Sequence, residues 1–197
     1  TEGTFPGSVI YRGDHLMISP EKSTREAFAD IIPRMGEVYP DLWVVDADSG
    51  SLTGASSFAH NFPERYCNTG IAEQQQVLLA SGLALSGKRV VAVSQASFLV
   101  SRSYDQIRNS IAIPGLPVTF IATHGGVSCG EEGAVTQMLE DLALMRALPH
   151  FKVLAPADYW SARHLIEASI GSNDPVYIRL GRMPLPLVYS GSDADFS

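Results

Sequence analysis

Short apolar runs alternate with helix-period segments along most of this chain, and that alternation leaves few folds open to it. Leu42-Trp43-Val44-Val45, Arg65 to Asn68, Arg89 to Val93, Pro117 to Ala122, Phe151 to Leu154 and Pro175 to Leu180 read as strands. Several are apolar without a period of two, as strands buried on both faces are. Helices are expected between them. One is capped by Ser23 with Glu26 as a capping box, carries Ala27, Phe28, Ile31 and Ile32 as its stripe, and is kinked or shortened by Pro33. Others run over Ile71–Leu85 to a stop at Gly87, over Phe98–Ile113 to Pro114-Gly115, over Thr136–Ala147, and from Asp158 to Ile170. Residues 49–64 and the Gly-rich segment 123–133 read as loops. The expected architecture is α/β, a mostly parallel sheet with helices on both faces and right-handed crossovers. Residues 1–20 read as an N-terminal arm, 21–180 as the α/β domain and 181–197 as linker or tail. Ligands of such sheets bind beyond the carboxyl ends of the strands, here the loops after Val45, Asn68, Val93, Ala122 and Leu180.

Charge and composition exclude some partners. The formal net charge is -7 and no block of Lys or Arg stands out, which argues against nucleic acid or an anionic membrane. Hydrophobic residues make up 45% of the 197, so a packed core is expected. No uninterrupted apolar run approaches about 18 residues. The start of the chain lacks the charged and apolar regions of a signal peptide. Cys67 and Cys129 stand far apart without a CxxC pattern, which suits a reducing, cytoplasmic location.

Several stretches carry candidate chemistry. Gly70-Ile71-Ala72-Glu73-Gln74 puts Glu73 in the first turn of a helix, where the dipole and free backbone N–H groups favour a carboxylate. First-turn glutamates are common, so position alone assigns no role. Phe98, Ser101 and Tyr104 are spaced by three, and one helix face would present all of them to a flat ring; core packing is the plainer explanation. His124 follows a strand in Thr123-His124-Gly125-Gly126, ahead of Gly130-Glu131-Glu132-Gly133, with no second His or Cys at zinc spacing. Arg25 and Arg182 suit phosphate by guanidinium geometry, although a surface ion pair would explain either one.

Taken together and in order, these blocks resemble the transketolase family of thiamine-diphosphate enzymes over residues 22 to 189, and within it the pyrimidine-binding domain. The resemblance implies that Glu73 hydrogen-bonds the cofactor's aminopyrimidine ring and, at a pKa raised by burial, drives the tautomerisation that activates the thiazolium carbon. It implies that Phe98 and Tyr104 line the ring pocket, with Ser101 where the family often has a second aromatic, and that Asp48 lies close to the thiamine. His124, Arg25 and Arg182 would contact a sugar phosphate, with His124 also catalytic, and Glu132, where the family usually has Asp, would reach a donor hydroxyl. Val135-Thr136-Gln137 stands where the family has Thr-His-Gln, so Thr136 replaces a histidine that normally acts at the sugar carbonyl.

The implied function is transfer of a two-carbon ketol unit between phosphosugars. The Gly-Asp-Gly and Asn of the diphosphate-binding domain do not occur in this chain, so Mg2+ and the diphosphate would be held by a partner subunit or domain, in a homodimer or heterotetramer. Rival expectations are a deoxyxylulose-phosphate synthase-like subunit, a 2-oxoacid dehydrogenase β-chain-like subunit, an enzyme of a biosynthetic pathway using an unusual acyl donor, or a non-catalytic interaction domain.

Overall fold

The computed structural model describes residues 8–12, 15–189 and 191, with side chains described from Pro20 onward. The chain opens with an antiparallel hairpin, β1 (Ser8–Arg12) on β2 (His15–Ser19). There follow β3 (Glu21–Lys22), α1 (Thr24–Val38), β4 (Leu42–Asp46), α2 (Gly50–Thr53), α3 (Ser56–Asn61) and β5 (Tyr66–Asn68). The middle of the chain supplies α4 (Glu73–Leu85), β6 (Arg89–Gln95), α5 (Ala96–Ile107) and β7 (Val118–Thr123). The last third supplies α6 (Asp141–Arg146), β8 (Lys152–Leu154), α7 (Tyr159–Ile170), β9 (Val176–Arg179) and β10 (Leu185–Pro186).

Six strands form one sheet in the order β5-β4-β6-β7-β9-β8, and every pairing in it is parallel. Successive strand residues point to opposite faces. Val44, Val91, Val93, Ile121 and Ile178 pack with α1, α3 and α7, while Val45, Val90, Ala92, Phe120 and Tyr177 pack with α4, α5 and α6. Two cores back to back explain why the strands read as continuous apolar runs.

Local chemistry fixes the helices. Ser23 and Glu26 form the expected capping box on α1, and Asp158 with Ser161 forms another on α7. α1 runs through Pro33 to Val38. Proline has no N–H for the Ala29 carbonyl, and Ser57 Oγ donates to that carbonyl from α3 at 3.1 Å. Tertiary contact thus replaces the bond the sequence removes.

The structure departs from the sequence reading in several places. Residues 49–64 hold α2, α3 and a 3-10 turn rather than a plain loop. Helix α6 begins only at Asp141, because Met138 is drawn into a backbone pair with Gly126, 2.7 and 2.9 Å long. The arm contains a hairpin. The tail doubles back: β10 pairs with β3, and the Val188 and Tyr189 amides donate to Asp158 at 2.8 and 2.9 Å. Burial would push the Asp158 carboxyl up, but its backbone and Ser161 hydrogen bonds win and hold it below the usual range.

Candidate functional site

The chain leaves β4 toward β5 on one side and later returns to place β6 on the other, so a crevice opens between the carboxyl ends of β4 and β6. A cavity of about 260 Å³ lies there, bordered by Ala47, Asp48, Ser49 and Leu52 after β4, Ile71 and Glu73, Ser94 and Gln95 of β6, and Phe98 and Arg102 of α5.

Glu73 is the first residue of α4 and only 3% exposed. Gly70, at φ 70, turns the chain into the helix, and Thr69 is tied to the Asp46 carbonyl through both its N–H (2.9 Å) and its hydroxyl (3.1 Å). One turn on, the fully buried Gln76 donates through Nε2 to the carbonyls of Val45 and Val93, each at 2.8 Å. That amide rivets the start of α4 to the two strands flanking the crevice. Arg102 Nη1 donates to both carboxylate oxygens of Glu73 at 3.0 Å, and its guanidinium carbon lies 4.2 Å from the Phe98 ring centroid.

The β4 side of the crevice is organised by Asp46, which is fully buried. It accepts from the Ser49 hydroxyl, the Ser49 and Gly50 amides and the Tyr66 hydroxyl, at 2.8 to 3.0 Å. Burial, followed by the charge and hydrogen bond of Asp46, pushes the Tyr66 phenol far above its usual range. A Cβ on Gly50 would lie 2.7 Å from that phenol oxygen, so a larger residue there would push the Tyr66 hydroxyl off Asp46. Asp48 sits exposed on the resulting turn at φ 58, a conformation that costs most residues energy, and its amide and carboxylate both meet the Asn68 side chain.

Phe98, Ser101 and Tyr104 do not share one face. Ser103 leaves helical geometry (φ -123, ψ 19) and breaks the regular spacing. Phe98 borders the cavity, and Ser101 borders a neighbouring groove of about 890 Å³ between α4 and α5. Tyr104 packs against the core and its hydroxyl donates to the Leu144 carbonyl at 2.9 Å, so it borders neither.

A second cluster gathers at the ends of β7 and β9. The α1 start is tied to the β9 end through Thr24 and Gly181 (2.7 Å), and the Arg182 amide donates to Ser128 Oγ at 3.4 Å. His124 is 1% exposed at φ 61, with Nδ1 2.9 Å from the Thr123 hydroxyl. Burial first, then the positive charges of Arg25 and Arg182, lower its pKa below the ordinary 6.5, with Glu132 pulling the other way. Arg182 Nη1 meets Glu132 Oε1 at 2.5 Å, while Arg25 Nη1 donates to the Leu52 carbonyl at 2.7 Å. The structure therefore brings Arg25, His124, Glu132 and Arg182 to one place from distant parts of the sequence. Thr136 spends its hydroxyl on the Gly133 carbonyl at 3.0 Å, inside its own turn.

This loop stands on a buried base. Arg179 Nη2 bonds the Met138 carbonyl at 2.6 Å and meets Asp141 at 3.1 Å, and Tyr177 donates to Asp141 at 2.7 Å. A Cβ on Gly125 would lie 2.5 Å from Arg179 Cγ, so the loop can cross that arginine only as glycine.

The transketolase pyrimidine-binding domain profile matches residues 20–187, across both clusters. The chain belongs to this family. A putative transketolase C-terminal section from Methanocaldococcus jannaschii is 40% identical over 172 residues, which are 87% of this chain and 54% of that protein. A 1-deoxy-D-xylulose-5-phosphate synthase from Symbiobacterium thermophilum is 35% identical over 182 residues, 92% of this chain and 26% of that one. Among solved structures, one described as split gene transketolase, inactive beta4 tetramer, superposes with TM-score 0.78 at 42% identity, covering 89% of this chain and 56% of that one. The chain thus spans about half the length of the first relative and a quarter of the second.

For the pyrimidine-binding domain, thiamine-diphosphate dependence is the family's property, and the residues at the crevice fit the ring half of that cofactor. They offer a buried carboxylate, an aromatic face and a cavity of ring size. Among the described residues no group of three or more His, Cys, Asp or Glu side chains is placed to hold a metal ion, and no helix is long and apolar enough to cross a membrane. Sequence reasoning missed Arg102 and Gln76. The Phe98–Arg102 spacing of four was the available signal for the first; a lone Gln in an apolar helix gave none for the second.

Proposed function

We propose that this chain supplies the pyrimidine half of a thiamine-diphosphate site for transketolase-type transfer of a two-carbon ketol unit between phosphosugars. The observation that carries this is Glu73, buried at the first position of α4 and facing Phe98 across the crevice at the strand-order reversal. Glu73 would hold the pyrimidine ring nitrogen and exchange a proton with it, while Phe98 gives the ring a face. Asp48 stands at the rim of the same cavity. When bound, the cofactor supplies the carbanion chemistry that no side chain here can provide.

Arg25, His124 and Arg182 would bind the sugar phosphate, with Glu132 near a donor hydroxyl. The lowered pKa of His124 favours its neutral form, so it would act by hydrogen bonding and proton shuttling. A partner chain would bring the diphosphate and Mg2+ ligands, in a homodimer or heterotetramer. The relative described as an inactive beta4 tetramer supports that division of labour. Two free cysteines, far apart, suit a reducing cytoplasm. The synthase-like relative keeps open a deoxyxylulose-phosphate synthase-type reaction on the same residues.

The test is to combine the chain with a diphosphate-binding partner, thiamine diphosphate and Mg2+, and assay ketose-phosphate donors with aldose-phosphate acceptors beside pyruvate with glyceraldehyde phosphate. Turnover of the ketose donor is expected. Turnover of pyruvate alone would move the assignment to the synthase reaction, and none with any donor would leave a binding module.

A further inference from the structure

We infer that Arg102 is a resting occupant of the pyrimidine pocket, and that the cofactor must displace it to bind. The inference rests on the reading of Glu73 and Phe98 as the ring's two contacts. Arg102 engages both at once. Its Nη1 bonds the two Glu73 oxygens at 3.0 Å each, and its flat guanidinium lies 4.2 Å from the Phe98 centroid. A guanidinium is planar, cationic and a donor to carboxylate, the same chemistry that a protonated aminopyrimidine edge would present.

The hold is built to be released. Only one guanidinium nitrogen reaches the carboxylate, so the pair lacks the two parallel bonds of the strong fork geometry. The Arg102 side chain is 45% exposed while that of Glu73 is 4% exposed, so the cation is screened by solvent and the anion is not. Arg102 also borders the roomy groove on the other side, where Gln74 Nε2 already holds its carbonyl at 2.9 Å. The side chain can swing there without moving the backbone. With the pocket empty, the buried carboxylate needs a donor; with the ring bound, one proton taken up from solvent is shared between the carboxyl and the ring nitrogen, and Arg102 is surplus.

The test titrates the isolated chain with thiamine, which carries the pyrimidine but no diphosphate, so neither partner nor metal enters. Arg102→Ala is expected to bind thiamine roughly three- to tenfold more tightly than wild type, from loss of a screened ion pair and a cation–π contact. Arg102→Lys should fall between. In the wild-type chain, the Arg102 Nε–Hε NMR signal should show hindered guanidinium rotation that is lost at thiamine saturation. Unchanged or weaker binding by Arg102→Ala, or a guanidinium still hindered with thiamine bound, would overturn the inference. Glu73→Gln and Phe98→Ala serve as the separate control. If both bind thiamine as wild type does, the pocket assignment itself is wrong and the inference goes with it; if both lose binding while Arg102→Ala gains none, only the inference fails.

Discussion

The two clusters at the strand ends are built in opposite ways. The crevice between β4 and β6 draws walls from strands that touch in the sheet, and the helix start that carries its key carboxylate is pinned by the Gln76 amide. The cluster at β7 and β9 draws Arg25, His124, Glu132 and Arg182 from separate segments: Arg182 and Glu132 pair directly through part-exposed side chains, and the charges of Arg25, Glu132 and Arg182 act on the buried His124. Its rigidity lies one layer down, in Arg179, Asp141 and Tyr177. The first arrangement suits a ring that must be held in one pose for proton transfer. The second suits an anion that arrives and leaves, with long cations adjusting over a fixed base.

The contrast can be broken most directly at Glu73. Glu73→Ala should lower turnover of the assembled enzyme by about 10²–10⁴-fold with folding intact, measured by steady-state kinetics and circular dichroism. Turnover within about threefold of wild type would remove the acid/base role from the crevice. Next is the base of the other cluster. Asp141 is fully buried, so Asp141→Ala would strand Arg179 and Tyr177 and should cost about 3–5 kcal/mol by urea unfolding. A loss under 1 kcal/mol, on the order of an exposed pair, would show that the loop does not stand on this network.

Arg182→Ala should act more gently, raising the KM for a phosphosugar about tenfold with little change in kcat, because a screened cation contributes mainly to binding. A fall in kcat with KM unchanged would instead place Arg182 in the chemistry. The smallest effect concerns pH. His124 has a lowered folded pKa, so the unfolded chain takes up the proton more readily. Its share of stability is present above the ordinary 6.5 and is lost as pH falls below that value. Unfolding free energies between pH 7.5 and 5 should decline, with a shallower slope in His124→Gln. The same slope in both would mean that His124 is not shielded as described. Asp158, lowered from 3.8, contributes only at more acidic pH and does not confuse this window.

Much of this was legible in the chain. The alternation of apolar runs and helical segments determined the parallel α/β sheet, because strands covered on both faces must be apolar throughout. Caps at Ser23 and Asp158 and the turn at Gly70 are local chemistry, and local sequence determined them. The placement of Glu73 at the start of α4 followed from the Gly70 turn and the run after it. What the sequence could not carry was anything settled by atoms far apart along it. Pro33 stays inside α1 because Ser57 serves the Ala29 carbonyl across 28 positions. Met138 leaves the expected helix because Gly126 and Arg179 hold its backbone. Tyr104 leaves the face of Phe98 because Ser103 departs from helical geometry and the Leu144 carbonyl takes its hydroxyl. Arg102 lies on Glu73 because α4 and α5, which follow the strands on either side of β4, both begin at the same crevice. Each outcome is a competition for one hydrogen-bonding group, and only the folded chain sets the competitors side by side.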